Sequence, residues 1–407
     1  MSNIITGLDI GTSQIKGIVV EQGRDGKFNT VSVFKHPSLG FRKGVLVDEE
    51  DALRLFRDII IDLEKVSKKS TDNIYITIDG DHIKPKPSRG IVAVSRADHE
   101  IQQDDIDRVT QASQSIKLPP NYTILHNITS EYFVDDVGDI KNPVGMSGNR
   151  LELSALIMGA FAPHVTNLIE IVNKAGGDVA GVIFSPLAAE RSVLSKRQRE
   201  LGVLMIDFGF STTSFVVYEE GKIVHSKSIP VGSGHVTNDI AVGLKISVDV
   251  AEKLKSMYGY AISKEVSRKD KVNLSDVDSS VKDDADISKR FLSEIIEVRL
   301  EEILDLVNNE LKDIGRPIQL PAGVVITGGG VKLPGFEDLV KQELKLPVSI
   351  GYPDVDFIEI INPTHKDLVD DPEFAAATGL ISWGKEDIKG LSLNIVSLKN
   401  FFKNLMP

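Results

Sequence analysis

The 407-residue sequence contains no cysteine and no uncharged apolar run long enough to span a membrane. Without cysteine the chain can form no disulfide and cannot use a thiolate as a nucleophile or metal ligand. A membrane-spanning helix needs about 18 or more consecutive apolar residues. Asp9 and Lys16 interrupt the apolar stretch near the N-terminus, which is unlike a secretory signal peptide. We therefore expect a cytoplasmic protein.

The chain also has fewer basic residues than acidic ones. The chain has 47 lysines and arginines against 59 aspartates and glutamates, for a net charge of −12. Nucleic-acid binding requires a basic patch or stripe, so we expect no nucleic-acid partner. The eight histidines include no i, i+4 pair, which argues against a zinc site on a helix. With 41% hydrophobic residues the length suffices for two or more packed domains.

Two segments of the chain, Ile4 to Val20 and Leu204 to Tyr218, resemble each other. Each reads as an apolar strand, an Asp-x-Gly-x-Ser turn and a second apolar strand. Three pairs of residues align at one constant offset: Asp9 with Asp207, Gly11 with Gly209, and Ser13 with Ser211. A repeat separated by about half the chain predicts two similar domains that face each other across a cleft.

The residue types in these turns suit a phosphate ligand. Gly11 and Gly209 allow a close approach of the backbone to an anion, and backbone N–H groups can then hold phosphate oxygens. The carboxylates of Asp9 and Asp207 suit a hydrated Mg²⁺ ion. Two ordinary hairpins are the alternative, but two copies favour a split phosphate clamp. The hydroxyls available to it are those of Thr12, Ser13, Ser211, Thr212 and Thr213.

The rest of the chain predicts an α/β protein with two insertions. Residues 83–161 contain a helix and strands of their own, which predicts a small α+β unit. A second insertion begins near Val231 and includes a polar, acidic stretch from Ser263 to Ile287, for which we expect a mobile loop. A long amphipathic helix ends at Gly315. A buried strand, a Gly-Gly-Gly turn and a helix follow, an arrangement typical of a nucleotide-contacting loop.

Four motifs resemble the FtsA family of bacterial cell-division proteins, within the actin, Hsp70 and sugar-kinase superfamily. They are GLDIGTSQIKG, KNPVGMSGNRLE (Lys141 to Glu152), FLSEIIEVRLEEIL (Phe291 to Leu304) and VVITGGGVKLPGF (Val324 to Phe336). The resemblance follows the family's order over nearly the whole chain. It implies an actin-like α/β fold, with two domains around a nucleotide cleft and an α+β insertion of the type called 1C.

The resemblance implies five structural units. Subdomain 1C (83–161, SHS2-like) would serve self-association, and subdomain 2B (231–318) would dock the C-terminal tail of the tubulin-like protein FtsZ. Subdomain 1A would comprise 1–82, 162–198 and 374–390, and subdomain 2A would comprise 199–230 and 319–373. Residues 391–407 would form a C-terminal amphipathic helix after a short linker.

The resemblance also implies a site for ATP, with Asp9 and Asp207 holding Mg²⁺ through water. Glu252 and Lys255 match positions that contact the nucleoside, although spacing alone would equally place them on a solvated helix face. The first phosphate loop would comprise Asp9, Gly11, Thr12, Ser13 and Lys16, the second Asp207, Gly209, Ser211 and Thr212, and the adenosine turn Gly328, Gly329 and Gly330.

Two positions depart from the family pattern. Phe210 replaces a glycine of the common DIGGGT motif, and a left-handed backbone there would cost roughly 1–2 kcal/mol. A differently shaped loop, or an anchor for another domain or subunit, would accommodate it. Ser185 lies where ATP-hydrolysing relatives often carry Glu or Gln to orient water, and serine is a poor base. We expect nucleotide to act as an assembly switch with weak or no turnover.

The C-terminal segment has the pattern of an interfacial helix. Its apolar side chains represent roughly 10 kcal/mol of gross burial, while ordering a dozen residues costs about 1 kcal/mol each. Binding of one tail to anionic lipid is therefore marginal, and assembly would strengthen it through avidity. Packing on the core or in a partner groove is the alternative. The predicted membrane-facing residues are Leu391, Ile395, Leu398, Phe401, Phe402, Leu405 and Met406.

These observations favour a scaffold over an enzyme. The leading hypothesis is an ATP-binding, actin-like protein that polymerises and tethers FtsZ to the inner face of the cell membrane at the division septum. One alternative is a small-molecule kinase of the same superfamily, although no catalytic base is evident beyond the two metal-site aspartates. The other is an assembly scaffold like the pilus protein PilM, whose relatives lack a terminal amphipathic anchor.

Overall fold

The two repeated segments form antiparallel hairpins in separate sheets, as the sequence predicts. In the first hairpin Asp9 lies opposite Lys16, and in the second Asp207 lies opposite Ser214. The computed structural model describes residues 3–278, 286–314, 318–354, 356–360 and 362–388. The predicted C-terminal helix at 391–407 lies outside these residues, as does Gly315.

The strands and helices of the described residues are numbered in chain order. The strands are β1 Ile4–Ile10, β2 Gln14–Gln22, β3 Phe28–Pro37, β4 Phe41–Arg42, β5 Val45–Leu46, β6 Ile74–Ile78, β7 Lys84–Ala93, β8 Tyr122–Val134, β9 Val137–Ile140, β10 Arg150–Phe161, β11 Val179–Phe184, β12 Val203–Phe208, β13 Thr213–Glu219, β14 Lys222–Ile229, β15 Lys271–Asn273, β16 Asp286–Ser288, β17 Val324–Thr327, β18 Val348–Ile350 and β19 Ile358–Glu359. The helices are α1 Glu49–Val66, α2 Gln103–Gln114, α3 Ala162–Ala175, α4 Ser185–Val193, α5 Lys196–Leu201, α6 Ser233–Leu244, α7 Val248–Tyr258, α8 Leu274–Val277, α9 Lys289–Asp313, α10 Phe336–Leu344, α11 Pro363–Val369 and α12 Ala375–Ile388.

The first domain is built on a sheet in the order β11-β6-β1-β2-β3-β19. Strand β6 runs parallel to both β1 and β11, and all of its residues are buried. A strand covered on both faces reads as a continuous apolar run, which explains the sequence IYITI. Helices α1 and α3 pack against each other, and α12 packs on β1 and β6.

The second domain repeats this plan with the sheet β14-β13-β12-β17-β18. Strands β12, β17 and β18 are parallel, and helices α6, α7, α9 and α10 contribute to its separate hydrophobic core. Because β1 and β12 each continue into a tight turn at the same relative place, both turns lie at the cleft between the domains.

A four-stranded sheet, β7-β10-β8-β9, forms a unit inserted into the first domain. Its outer half packs against α2 around a small core of its own that includes Leu151 and Leu153. Its inner half, including Leu156 and Met158, joins the core of the first domain. The unit is therefore anchored to the first domain through one end of its sheet.

The polar stretch Ser263 to Ile287 departs from the mobile loop that its composition predicts. Strands β15 and β16 pair with each other, and α8 follows β15 directly. Val272, Leu274 and Val277 are buried in the core of the second domain. Three apolar side chains at the right spacing thus order a segment of low average hydrophobicity, apart from residues 279–285, which lie outside the described residues.

Helix α12 packs against α4, β1 and β6, and its first residues, Ala375 and Ala376, line the cleft. A Cβ at Gly379 would lie 1.8 Å from the carbonyl oxygen of Ala188 in α4, so only glycine permits this crossing. The indole Nε1 of Trp383 donates to the carbonyl oxygen of Leu187 at 3.1 Å. The small residues at the start of α12, Ala375 to Ala377 and Gly379, permit this close packing. Among the described residues, no helix combines the length and apolar character needed to cross a bilayer.

Candidate functional site

The turns of the two hairpins face each other across a cavity of about 230 Å³. The hydroxyl oxygens of Thr12 and Ser211, one from each turn, lie 2.7 Å apart. Of the residues that the sequence predicts for the nucleotide site, all line this cavity except Thr213 and Lys255. The structure therefore brings together predicted residues from four separated parts of the chain: the two hairpins, the Gly-Gly-Gly turn and Glu252 on α7.

The first turn is held by hydrogen bonds to Asp9, which ends β1. The Lys16 ammonium donates to its Oδ2 at 3.1 Å, and the Thr77 hydroxyl donates to its Oδ1 at 2.9 Å. Burial alone would lower the pKa of Lys16, but the neighbouring Asp9 carboxylate raises it above its usual value. A Cβ at Gly11 would lie 2.6 Å from the carbonyl oxygen of Gln14, so the turn requires glycine. Lys16 is thus fixed as a cation at the cavity.

The second turn contains a carboxylate with an unusual pKa. Burial, followed by the nearby charges of Asp9 and Asp79, raises the pKa of Asp207 to about 7. Each of these effects disfavours the ionised form of the Asp207 carboxylate. The side chain of Ser185 donates a hydrogen bond to Asp207.

Phe210 does not adopt the left-handed backbone that the family's glycine would suggest. It is absent from the non-glycine residues with positive φ among those described, so the expected strain does not arise. Its carbonyl oxygen accepts from the N–H of Gly234 at 2.7 Å, and the carbonyl of Gly209 accepts from Ser233 at 2.9 Å. A Cβ at Gly234 would lie 2.8 Å from the Phe210 ring. The second turn is therefore braced by the start of α6.

The Gly-Gly-Gly turn lies against the turn of the second hairpin. Gly328 has φ +91°, and a Cβ there would lie 2.3 Å from Oδ1 of Asp207. A Cβ at Gly330 would lie 2.3 Å from the ring of Phe208. Both positions need glycine for the backbone to approach so closely.

Glu252 and Lys255 lie on α7 and form one hydrogen-bonded group. Glu252 lines the cavity, and its Oε2 accepts from the Lys255 ammonium at 2.8 Å. Lys255 is buried, and it also donates to the Thr237 hydroxyl at 2.8 Å and to the carbonyl oxygen of Ser233 at 3.2 Å. Lys255 thus lies behind the cavity wall, where it holds Glu252 and the start of α6.

Sequence reasoning missed two acidic residues of the cavity, Asp79 and Glu373. Asp79 follows the buried strand β6, whose carboxyl end meets that of the parallel strand β1 at the same edge of the sheet, and this signal was available. Glu373 pairs with Lys35 and, at 3.0 Å, with Lys332. Burial would raise the pKa of Glu373, but the two lysines lower it.

The donor set suits a hydrated magnesium ion rather than a closed metal site. Among the described residues, no group of three or more His, Asp or Glu side chains is placed to hold a metal directly. Asp9 and Asp207 both line the cavity and offer hard oxygen ligands. Magnesium commonly keeps several waters and needs only one or two carboxylates, so these residues fit it.

Two family models match this chain. One, described as "Cell division protein FtsA", matches residues 204–379, and the other, described as "SHS2 domain inserted in FTSA", matches residues 80–158. The cell division protein FtsA of Borreliella burgdorferi is 34% identical over 99% of this chain and 96% of its own length. That of Pseudomonas aeruginosa is 32% identical over 96% of this chain and 92% of its own length.

Solved structures agree on the architecture. A chain of the PilM–PilN type IV pilus biogenesis complex has a TM-score of 0.67 at 16% identity, with 94% of this chain and 98% of that chain covered. MreB5 of Spiroplasma citri bound to ADP has a TM-score of 0.58 at 15% identity, with 95% and 98% covered. At these identities the likeness concerns the fold alone, and it confirms the actin-like α/β architecture that the sequence predicts.

Proposed function

This chain belongs to the FtsA family of actin-like cell-division proteins, and from that premise we propose that it binds ATP with Mg²⁺ in the cleft between its domains. The observation that carries the proposal is the pair of facing phosphate turns, with Asp9 and Asp207 at their bases. The hydroxyls of Thr12, Ser13 and Ser211 and the backbone N–H of Thr212 would hold phosphate oxygens, and the Gly328 to Gly330 turn and Glu252 would contact the nucleoside. Lys255 would position Glu252.

The charges of the cavity support a complex of nucleotide and cation. Asp9 and Asp207 would hold Mg²⁺ through its waters, and the bound ion would offset the charge of the phosphate chain. Lys16, fixed beside Asp9 at 3.1 Å, would add a second positive charge at the first turn. Burial, and then the charges of Asp9 and Asp79, raise the pKa of Asp207, so a bound cation would stabilise its ionised carboxylate.

We propose that turnover of ATP is weak. A base that orients the attacking water must reach the γ-phosphate. Ser185, which lines the cavity where hydrolysing relatives often carry Glu or Gln, offers only a short hydroxyl that already donates to Asp207. Nucleotide would then act as a switch for assembly rather than as a substrate consumed rapidly.

The family further supports a role as a membrane scaffold at the division septum. The C-terminal residues 391–407 would bind anionic lipid on the inner face of the cell membrane. The second-domain insertion at 231–318 would bind the C-terminal tail of FtsZ, and the unit at 83–161 would mediate self-association into filaments. Binding of an FtsZ tail peptide to the full chain, measured by fluorescence anisotropy, tests the FtsZ part directly.

A calorimetric titration with ATP and Mg²⁺ tests the nucleotide site. Wild type should bind, and Asp207→Asn should weaken binding by about tenfold or more, because it removes a charged metal-site group. Asp276→Asn, at an exposed position on α8, serves as the control and should bind like wild type. Equal affinity of Asp207→Asn and wild type would contradict the proposed site. Brisk phosphate release by wild type that is lost in Asp207→Ala would contradict weak turnover.

A further inference from the structure

We propose that Asp79 is a positioning residue that latches the two domains together beside the phosphate turns. Asp79 belongs to the first domain, where it directly follows β6. Its Oδ2 accepts hydrogen bonds from the hydroxyls of Thr212, at 2.7 Å, and Ser214, at 2.8 Å, which belong to the second domain. This inference rests on the nucleotide cleft proposed above. It adds the hydrogen bonds that hold the two domains together beside that cleft.

The first domain presents the carboxylate in a fixed orientation. The backbone N–H of Gly80 donates to Asp79 Oδ1 at 2.8 Å, which leaves Oδ2 to face the second domain. A Cβ at Gly44 would lie 2.7 Å from the carbonyl oxygen of Asp79, so the loop before α1 packs directly on this residue. Burial raises the pKa of Asp79, although the hydroxyls that donate to it act in the opposite direction. A carboxylate placed in this way is restrained before any ligand binds.

The second domain presents its two hydroxyls through strand geometry. Alternate residues of an extended segment point to the same face, so Thr212 and Ser214 point together while Thr213 points away. The hydroxyl of Thr213 accordingly donates to the carbonyl oxygen of Val231 at 2.7 Å, on the other side. Ser214 also lies 3.3 Å from the Ser228 hydroxyl on β14. Both latch hydroxyls are buried, so water competes poorly for them.

The latch is distinct from the other hydroxyl contact across the cleft. Thr12 and Ser211 join the tips of the two turns, and these are the hydroxyls that would turn toward a phosphate. Asp79 uses neither of them, so its hydrogen bonds can persist when a nucleotide occupies the turns. The cavity of about 230 Å³ is smaller than the roughly 300–1,000 Å³ typical of ligand sites, so a bound nucleotide would move the turns apart. Asp79 is placed to bring the domains back into register.

A reciprocal exchange of side chains tests the latch. The variants are Asp79→Ser, Ser214→Asp and the double variant. In the double variant the carboxylate lies at position 214 in the second domain and the hydroxyl at position 79 in the first. Because the chain has no cysteine, Ile61→Cys on α1 and Val242→Cys on α6, both exposed, allow specific dye labelling of the two domains. Single-molecule energy transfer then gives the distribution of interdomain distances without nucleotide, and calorimetry gives the affinity for ATP with Mg²⁺.

Each single exchange should broaden the distance distribution and weaken ATP binding by about tenfold or more. Asp79→Ser removes the carboxylate that accepts both hydrogen bonds, and Ser214→Asp places two carboxylates against each other. The double exchange should restore the distribution and bring the affinity to within about threefold of wild type. Asp79→Ser with wild-type distances would overturn the inference. A double exchange as impaired as the single variants would also overturn it, because Asp79 would then act within its own domain. If wild type fails to bind ATP, the proposed function fails, whereas the distances without nucleotide still decide the latch.

Discussion

Gly328 is the residue whose replacement most directly tests the geometry of the cavity. Its φ is +91°, and an added Cβ would lie 2.3 Å from Oδ1 of Asp207. Gly328→Ala should therefore displace the Asp207 carboxylate and lower the affinity for ATP with Mg²⁺ by about tenfold or more, measured by calorimetry. The substitution combines two effects, backbone strain at a positive φ and a steric collision with Asp207. A second glycine, at which only the backbone strain would arise, distinguishes them.

Gly26 is the matched control for this substitution. It has φ +83°, and an added Cβ would meet no atom within 4 Å. Gly26→Ala should cost about 1–2 kcal/mol of stability through the left-handed backbone alone and leave ATP affinity unchanged. Loss of affinity in both variants, or in neither, would show that contact between Gly328 and Asp207 does not shape the site.

At the scale of elements, two histidines occupy the connections between the first domain and its inserted unit. His82 lies between β6 and β7, His164 lies in α3 just after β10, and their ring centroids are 4.7 Å apart. Burial, and then the neighbouring His164, lower the pKa of His82 to about 4, while Asp81 acts weakly in the opposite direction. Both ring nitrogens of His82 lack a hydrogen-bond partner, so the site favours a neutral ring.

This environment predicts a loss of stability in mild acid. The unfolded chain binds a proton at His82 near pH 6.5, whereas the folded chain does so near pH 4. The unfolded state therefore holds more protons between these values, and stability falls as the pH falls through them. Between pH 7 and pH 5 the contribution is about 1–2 kcal/mol, measured from urea midpoints. His82→Phe should flatten this part of the pH profile, and an equally steep profile in His82→Phe would contradict the assignment.

The elements nearest the site were predictable where their signals are local. The Asp-x-Gly-x-Ser turns and the Gly-Gly-Gly turn are short contiguous motifs that the sequence alone reveals, and all three lie at one cavity in the structure. The place of Asp79 at the cleft follows from its position after the buried strand β6, but its contacts with Thr212 and Ser214 depend on how the two domains approach, which no local pattern indicates. Lys255 looked like a solvated residue by spacing, but its burial follows from the packing of α6 on α7. The order within Ser263 to Ile287 was missed because three buried apolar side chains hardly change the average composition.

At the scale of the whole molecule, one chain would carry both the proposed nucleotide cleft and the proposed membrane-binding tail. A single tail of this composition would bind lipid only marginally, because the expected gain from apolar burial nearly equals the cost of ordering the segment. Assembly would present many tails at once and strengthen attachment through effective concentration. Nucleotide state would therefore control membrane attachment indirectly, through assembly.

The most direct measurement is co-sedimentation with liposomes that contain anionic lipid, with and without ATP and Mg²⁺. The full chain is compared with a chain that ends at Ile388, which retains all of α12, and with Asp207→Asn in the full chain. The account predicts that pelleting requires both the tail and ATP, and that Asp207→Asn reduces it. Pelleting that is independent of the tail, or no binding to lipid at all, would contradict a nucleotide-gated membrane scaffold.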